Sequence, residues 1–156
     1  MTIKRTALVI LSLFLLMACS KETPVELVKV SDTGCAREEA VTRSGDETPS
    51  QIILEYSAEG LVVIRTNAIM NCSVKTGGIS CNVSVSGNTV YCEEFETDGK
   101  SMRCTCPVSN ITSTIKGLRL GKEYTLRLTC DGSFAPIGFT YTKDLKMVLD
   151  AELYRL

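Results

Sequence analysis

The sequence predicts an all-β domain: an antiparallel two-sheet sandwich of about seven to nine strands. Three observations carry that expectation. No stretch sustains the 3.6-residue apolar period of an amphipathic helix beyond the first eighteen residues. Short runs of alternating or β-branched residues recur instead. Gly, Asn, Ser and Pro punctuate those runs at regular intervals, as turns require.

Taken in order, residues 25–30 read as one short strand inside an otherwise polar lead-in. Residues 51–57 and 61–66 flank Ala58-Glu59-Gly60 and read as a hairpin. Residues 79–85 alternate, placing Cys81, Val83 and Val85 on one face and Asn82, Ser84 and Ser86 on the other. Ser86-Gly87-Asn88 supplies a turn able to reach positive φ, and residues 89–95 return with Val90 and Cys92 on one face. Residues 101–106 and 108–115 follow as two strands, with Pro107 between them as a break or edge residue. Residues 122–130 set Tyr124, Leu126, Leu128 and Cys130 against Glu123, Thr125, Arg127 and Thr129. Residues 138–142 and 145–150 close the domain, with Leu145, Met147 and Leu149 sharing a face.

That strand count and spacing point to a sandwich of immunoglobulin type. The segment Leu118-Arg119-Leu120-Gly121-Lys122-Glu123-Tyr124 resembles the turn entering a late strand of immunoglobulin and fibronectin III domains. There a tyrosine hydroxyl bonds back to the preceding loop, so the resemblance implies a structural role for Tyr124. A small β-barrel is the alternative architecture that alternation allows.

The N-terminus has a different character. Lys4 and Arg5 precede an apolar run over residues 7–17, broken by Ser12. Such a run has the length of a signal-peptide core and is too short to span a bilayer. Leu16-Met17-Ala18-Cys19 follows, and it resembles the bacterial lipobox: aliphatic, variable, small, then Cys. The resemblance implies that the Cys19 thiol receives diacylglycerol, that cleavage falls before it, and that the new amino group is acylated. Two or more chains hold a protein stably on a membrane, at about 0.8 kcal/mol per buried methylene. The chain thus divides into a signal peptide (1–18), a lipidated tether and lead-in (19–50) and a sandwich domain (51–156). Ser20 replaces the aspartate that retains enterobacterial lipoproteins in the inner membrane, which directs the expectation to the outer membrane, on either of its faces.

Composition excludes several function classes. The 156 residues include no histidine. That removes Ser-His-Asp and Cys-His catalysis, imidazole metal ligands and the usual pH switch. Cleavage takes Lys4 and Arg5 away, leaving 15 basic against 18 acidic residues, a net charge of −3. With no basic stripe and few aromatics, nucleic-acid binding is disfavoured. No phosphate-binding glycine loop, nucleophile elbow or zinc-protease motif is present.

After Cys19, seven cysteines remain: Cys35, Cys72, Cys81, Cys92, Cys104, Cys106 and Cys130. An export signal sends them to an oxidising compartment, so disulfides are the expected state, with one thiol over. Cys81–Cys92 across the hairpin is the first pairing to consider. With Ser86-Gly87 as the loop the two lie directly opposite; with Gly87-Asn88 as the loop they are offset by two and bridge poorly. Cys104 and Cys106 point the same way from one strand, and so reach separate partners, with Cys72 and Cys130 as candidates. Cys35 either clips the lead-in to the sandwich or is the spare. A metal site built from Cys72, Cys81, Cys92, Cys104 and Cys106 is the alternative chemistry, but the two-residue cysteine knuckles of common zinc sites are missing.

A second resemblance rests on Ile64 to Cys72, then Cys104-Thr105-Cys106, then the stretch 115–128. This pattern is similar to a group of small Bacteroidetes lipoproteins that carry an Asn-Ala-x-x-Asn-Cys segment, a later Cys-x-Cys and a glycine–tyrosine turn. The chain departs from the group in having Arg65 where histidine is frequent, and no second cysteine after Cys72; both argue against carrying metal chemistry over. The resemblance implies location and fold class, and no activity.

Two further clusters stand out. Glu93, Glu94, Glu96 and Asp98 form an acidic patch, whose plainest reading is a solvated outer face. Calcium binding or acid–base work by Glu94 and Glu96 is the sharper alternative. Phe134, Phe139 and Tyr141, near Pro136, are core residues before they are a binding platform. The functional expectation is therefore a cell-envelope lipoprotein acting as a non-enzymatic binding module. It is held to a membrane by lipid and needs no cofactor, and its partner is a protein or a glycan. The alternative is metal or redox handling by the cysteine cluster.

Overall fold

The computed structural model describes residues 24–35, 49–97, 104–130 and 132–156. Nine strands run in chain order: β1 (Glu26–Asp32), β2 (Gln51–Ser57), β3 (Gly60–Asn71), β4 (Ile79–Ser86), β5 (Thr89–Glu96), β6 (Thr105–Lys116), β7 (Glu123–Thr129), β8 (Ile137–Thr140) and β9 (Lys146–Asp150). A four-residue helix, α1 (Ala151–Tyr154), follows, with Asp150 as its N-cap. The strands form two sheets, ordered β1-β6-β3-β2-β9 and β4-β5-β7-β8. They pack face to face as a sandwich, and neither closes into a barrel. The first sheet is antiparallel throughout. The second contains one parallel pair, β5 with β7. The chain visits β6 of the other sheet between these two strands, so no hairpin joins them and a parallel pairing is open to them.

The alternation expected for β4, β5, β7 and β9 is the alternation observed. Val90 and Cys92 face inward from β5, and Tyr124, Leu126 and Leu128 do so from β7. The lead-in contributes more than the domain boundary at residue 51 anticipated. β1 pairs with β6 from Glu26 opposite Lys116 to Asp32 opposite Ile111, so it is an integral strand. Pro107 is likewise not a break. It lies within β6 opposite Ile69, and β1 has ended by then, so the missing N–H is tolerated. The portion of that expected strand over residues 101–103 lies outside the described residues. At the first hairpin Ser57 pairs with Gly60, leaving Ala58-Glu59 as the loop. Gly60 has φ 147°, and a Cβ there would overlap the carbonyl of Ile115, so only glycine fits.

Sixteen buried residues form the main core, among them Ile52, Leu54, Leu61, Ile115, Leu126 and Leu128. Each large aliphatic side chain so buried contributes about 1.5–3 kcal/mol relative to exposure. Phe134, Phe139 and Tyr141 belong to it, as packing rather than as a platform. A smaller cluster of Ala68, Met70, Val74, Ile79, Val108 and Ile111 fills one end. The two meet where Asn67 takes φ 51°. Before it Leu61, Val63 and Arg65 face inward; after it Ala68 and Met70 do. Asparagine tolerates the left-handed region better than a β-branched residue would.

The turn before β7 behaves as its resemblance implied: the Arg119 N–H donates to Tyr124 Oη at 3.0 Å. Tyr124→Phe is expected to cost about 1 kcal/mol, the net worth of one hydrogen bond. Urea unfolding should show a lower midpoint at unchanged slope. An unmoved midpoint would mean that the bond is not made in solution.

Candidate functional site

The inner faces of the sheets bring together a polar group that hydrophobic packing alone does not explain. On β3 the alternation of Leu61 and Val63 carries Arg65 inward, and on β5 that of Val90 and Cys92 carries Glu94 inward. The two meet across the sandwich with Arg65 Nη1 donating to Glu94 Oε2 at 2.8 Å, the side chains 3% and 0% exposed. The guanidinium also lies 5.0 Å from the centroid of the Phe134 ring. Burial pulls the Arg65 pKa down, but Glu94 and Cys130 outweigh it and the net shift is upward. Arg65 is therefore a fixed cation. Its buried Nε has no hydrogen-bond partner among the described residues, and Arg65 helps to line a cleft of about 20 Å³ with Ser50, Asn67 and Arg155. That is room for about one water.

Beside the ion pair sit two thiols. Ser86 pairs with Thr89, so the hairpin loop is Gly87-Asn88; Cys81 then faces Glu94 and Val83 faces Cys92. The cysteines are thus diagonal neighbours, and the structure keeps them as thiols, correcting the bridge expected first. Their sulfurs nevertheless lie 2.8 Å apart. The hydrogen bond from Cys92 is the largest influence lowering the Cys81 pKa, whereas the same contact, then burial, pushes Cys92 well up. Cys130 is a half-buried thiol whose Sγ lies 3.6 Å from Met70 Sδ, and it joins neither Cys104 nor Cys106.

Two disulfides do form, Cys35–Cys106 and Cys72–Cys104. Cys35 clips the lead-in to the sandwich, one of the two roles foreseen for it. Because the bridges take Cys72, Cys104 and Cys106, the five cysteines of the proposed metal cluster do not converge. Asp32 lies at the same end. Its Oδ1 accepts from the N–H groups of Gly34 (2.8 Å) and Gly77 (3.1 Å), and its Oδ2 from that of Ile79 (3.0 Å).

The acidic patch resolves differently from a solvated face. Glu94 and Glu96 do share the inner side, but Glu94 is in the ion pair and Glu96 Oε1 accepts from the Asn71 N–H at 2.8 Å. Glu93 faces solvent, and Asp98 lies outside the described residues. Neither Arg65 nor Asp32 was singled out as a site residue from sequence. The parity of Leu61 and Val63 was the available signal for Arg65; nothing local signals the Asp32 cradle.

The outer face of the second sheet is the other candidate surface. Tyr91 and Phe95 project from β5, 42% and 38% exposed, about 13 Å apart at ~3.3 Å per residue. Glu93 lies between them. Register places Ser84, Asn82 and Ser80 of β4 on one side and Arg127 and Thr129 of β7 on the other.

Together these features define a two-sheet β-sandwich with a bridged end, a buried ion pair and thiol pair, and a polar outer face bearing two aromatics. Compared with protein-family models, with curated proteins and with solved structures, the chain matches none. The expected signal peptide and the expected lipidation site, Cys19, lie outside the described residues. Pro24, five residues beyond Cys19, is within about 18 Å of it by covalent reach.

Proposed function

We propose that this protein is a lipid-anchored, non-enzymatic binding module of the bacterial cell envelope, presenting the outer face of its second sheet to a glycan. The observation that carries the reading is the Tyr91–Phe95 pair on one strand with hydrogen-bonding side chains on every side. A contiguous apolar patch would suit a protein partner or a dimer. Here the aromatics are separated by Glu93 and flanked by Asn82, Ser84, Arg127 and Thr129, which suits sugar rings that offer apolar faces and hydroxyl edges. The lipid on Cys19 and the short reach to Pro24 hold the domain close to the membrane, and Ser20 favours the outer one.

Affinity electrophoresis through gels containing soluble envelope polysaccharides tests the reading. The mature protein is expected to be retarded in at least one of them. Tyr91→Ala with Phe95→Ala is expected to weaken that binding at least tenfold, about 1.4 kcal/mol. Stability should move by no more than about 0.5 kcal/mol, because both side chains are on the surface. Absence of retardation in every polysaccharide, or retention of full affinity by the double variant, would overturn the proposal. Replacing Cys19 with Ser is expected to release the protein from the membrane fraction.

A further inference from the structure

The buried thiols take no part in glycan binding, and their geometry has a chemistry of its own. We propose that Cys81 and Cys92 form an exchange-active redox pair that closes to a third disulfide against an external disulfide, with Cys81 attacking and Cys92 resolving. Their sulfurs, 2.8 Å apart, are about 0.8 Å from bonding distance (~2.05 Å), so a small side-chain adjustment joins them. Four of the other described cysteines are committed to Cys35–Cys106 and Cys72–Cys104, and Cys130 is placed against Met70. Each of the two thiols is therefore the other's nearest partner for oxidation.

The roles follow from position. Among the described residues β4 pairs in its sheet with β5 alone, its first residue also held where Asp32 Oδ2 accepts from the Ile79 N–H, whereas β5 is held between β4 and β7. Local opening of the edge strand uncovers Cys81 before Cys92, which is 1% exposed in the closed sandwich. The electrostatic surroundings agree. Cys92 lowers the Cys81 thiol, against burial and Glu94. Cys81, burial and Glu94 raise Cys92, with Arg65 opposing them. Cys81 is the readier thiolate, and Cys92 keeps its proton until Cys81 is engaged.

In the first step the Cys81 thiolate attacks one sulfur of the external disulfide. A Cys81 mixed disulfide forms, and the other sulfur leaves as a thiolate that takes up from solvent the proton Cys81 released on ionising. Cys92 then attacks the Cys81 sulfur, the Cys81–Cys92 bond forms, and the second external thiolate leaves with the Cys92 proton. Two protein thiols are oxidised and one external disulfide is reduced to two thiols. The loop closed spans 11 residues, against 32 and 71 for the other bridges. Its closure removes the least chain entropy, so this bridge opens first on reduction.

The test uses the mature lipidated protein in detergent, equilibrated with oxidised and reduced glutathione, quenched with acid, alkylated and mapped by mass spectrometry. Cys81 and Cys92 are expected to lose alkylation together as the chain becomes two hydrogens lighter, while Cys130 stays alkylated. On stepwise reduction they should reappear before Cys35, Cys72, Cys104 and Cys106. In Cys92→Ser the reaction should stop with one glutathione on Cys81, and in Cys81→Ser the Cys92 thiol should stay unmodified. The wild-type mapping stands by itself if either variant fails to fold. Persistence of both thiols in fully oxidised glutathione, a bridge from either to Cys130, or first attack by Cys92 would overturn the proposal.

Discussion

Removing both disulfides, with Cys35, Cys72, Cys104 and Cys106 replaced by Ala, is expected to lower stability by about 5–8 kcal/mol. On a chain-entropy argument the bridge of sequence separation 32 contributes about 3.7 kcal/mol and that of separation 71 about 4.4 kcal/mol. The shorter loop is nested within the longer, so the two fall short of additive. Against a total of about 5–15 kcal/mol for a domain, the loss removes a third or more of the stability. The effect concentrates at one end. Cys72–Cys104 ties the exit of β3 to the entry of β6, and Cys35–Cys106 ties the chain beyond β1 to the same place. Val108 and Ile111 of the smaller core cluster sit just behind. Urea unfolding of the quadruple variant, compared with each paired variant, measures the effect. A quadruple variant within 1 kcal/mol of wild type would show that the bridges are dispensable for folding.

The second large effect concerns the ion pair. Glu94→Ala leaves the Arg65 guanidinium, 3% exposed, without its carboxylate, and is expected to cost about 3–5 kcal/mol. Losing the attraction is the smaller part; keeping an uncompensated charge out of water is the larger. The pair as a whole is a different matter. Replacing Arg65 with Met and Glu94 with Leu together removes both desolvation penalties, and should restore most of the stability lost in the single variant. Chemical denaturation of the wild type, the single variant and the double variant gives the comparison. A loss below about 1 kcal/mol for Glu94→Ala would indicate that water reaches the pair, and the cleft that Arg65 lines is the place to look for it.

These two sites differ in how far the chain itself announces them. The inward direction of Arg65 follows from Leu61 and Val63, four and two residues earlier, and that of Glu94 follows from Cys92. The acidic patch nevertheless suggested a solvated face, because four acidic residues close in sequence outweighed the parity of a single strand. Alternation was the better guide. The disulfides were harder: Cys104 and Cys106 were expected to reach separate partners and do, and Cys72 was one of the two candidates, but Cys35 rather than Cys130 as the other required knowing that β1 flanks β6. The choice between Ser86-Gly87 and Gly87-Asn88 as the hairpin loop moved Cys81 and Cys92 from opposite to diagonal, a single step of register.

The division between the two levels has a physical basis. Strand positions, the faces of β4, β7 and β9, and the Tyr124 turn follow from interactions among residues a few places apart, where backbone sterics and side-chain alternation act directly. Sheet order, the parallel β5–β7 pair, the Asp32 cradle and the pairing of Arg65 with Glu94 join residues 29 to 47 positions apart or whole strands. Such partners are selected when two apolar faces close on each other and every buried charge or N–H left inside must find a complement there. Local sequence sets which side chains turn inward, and the packed sandwich sets which of them meet.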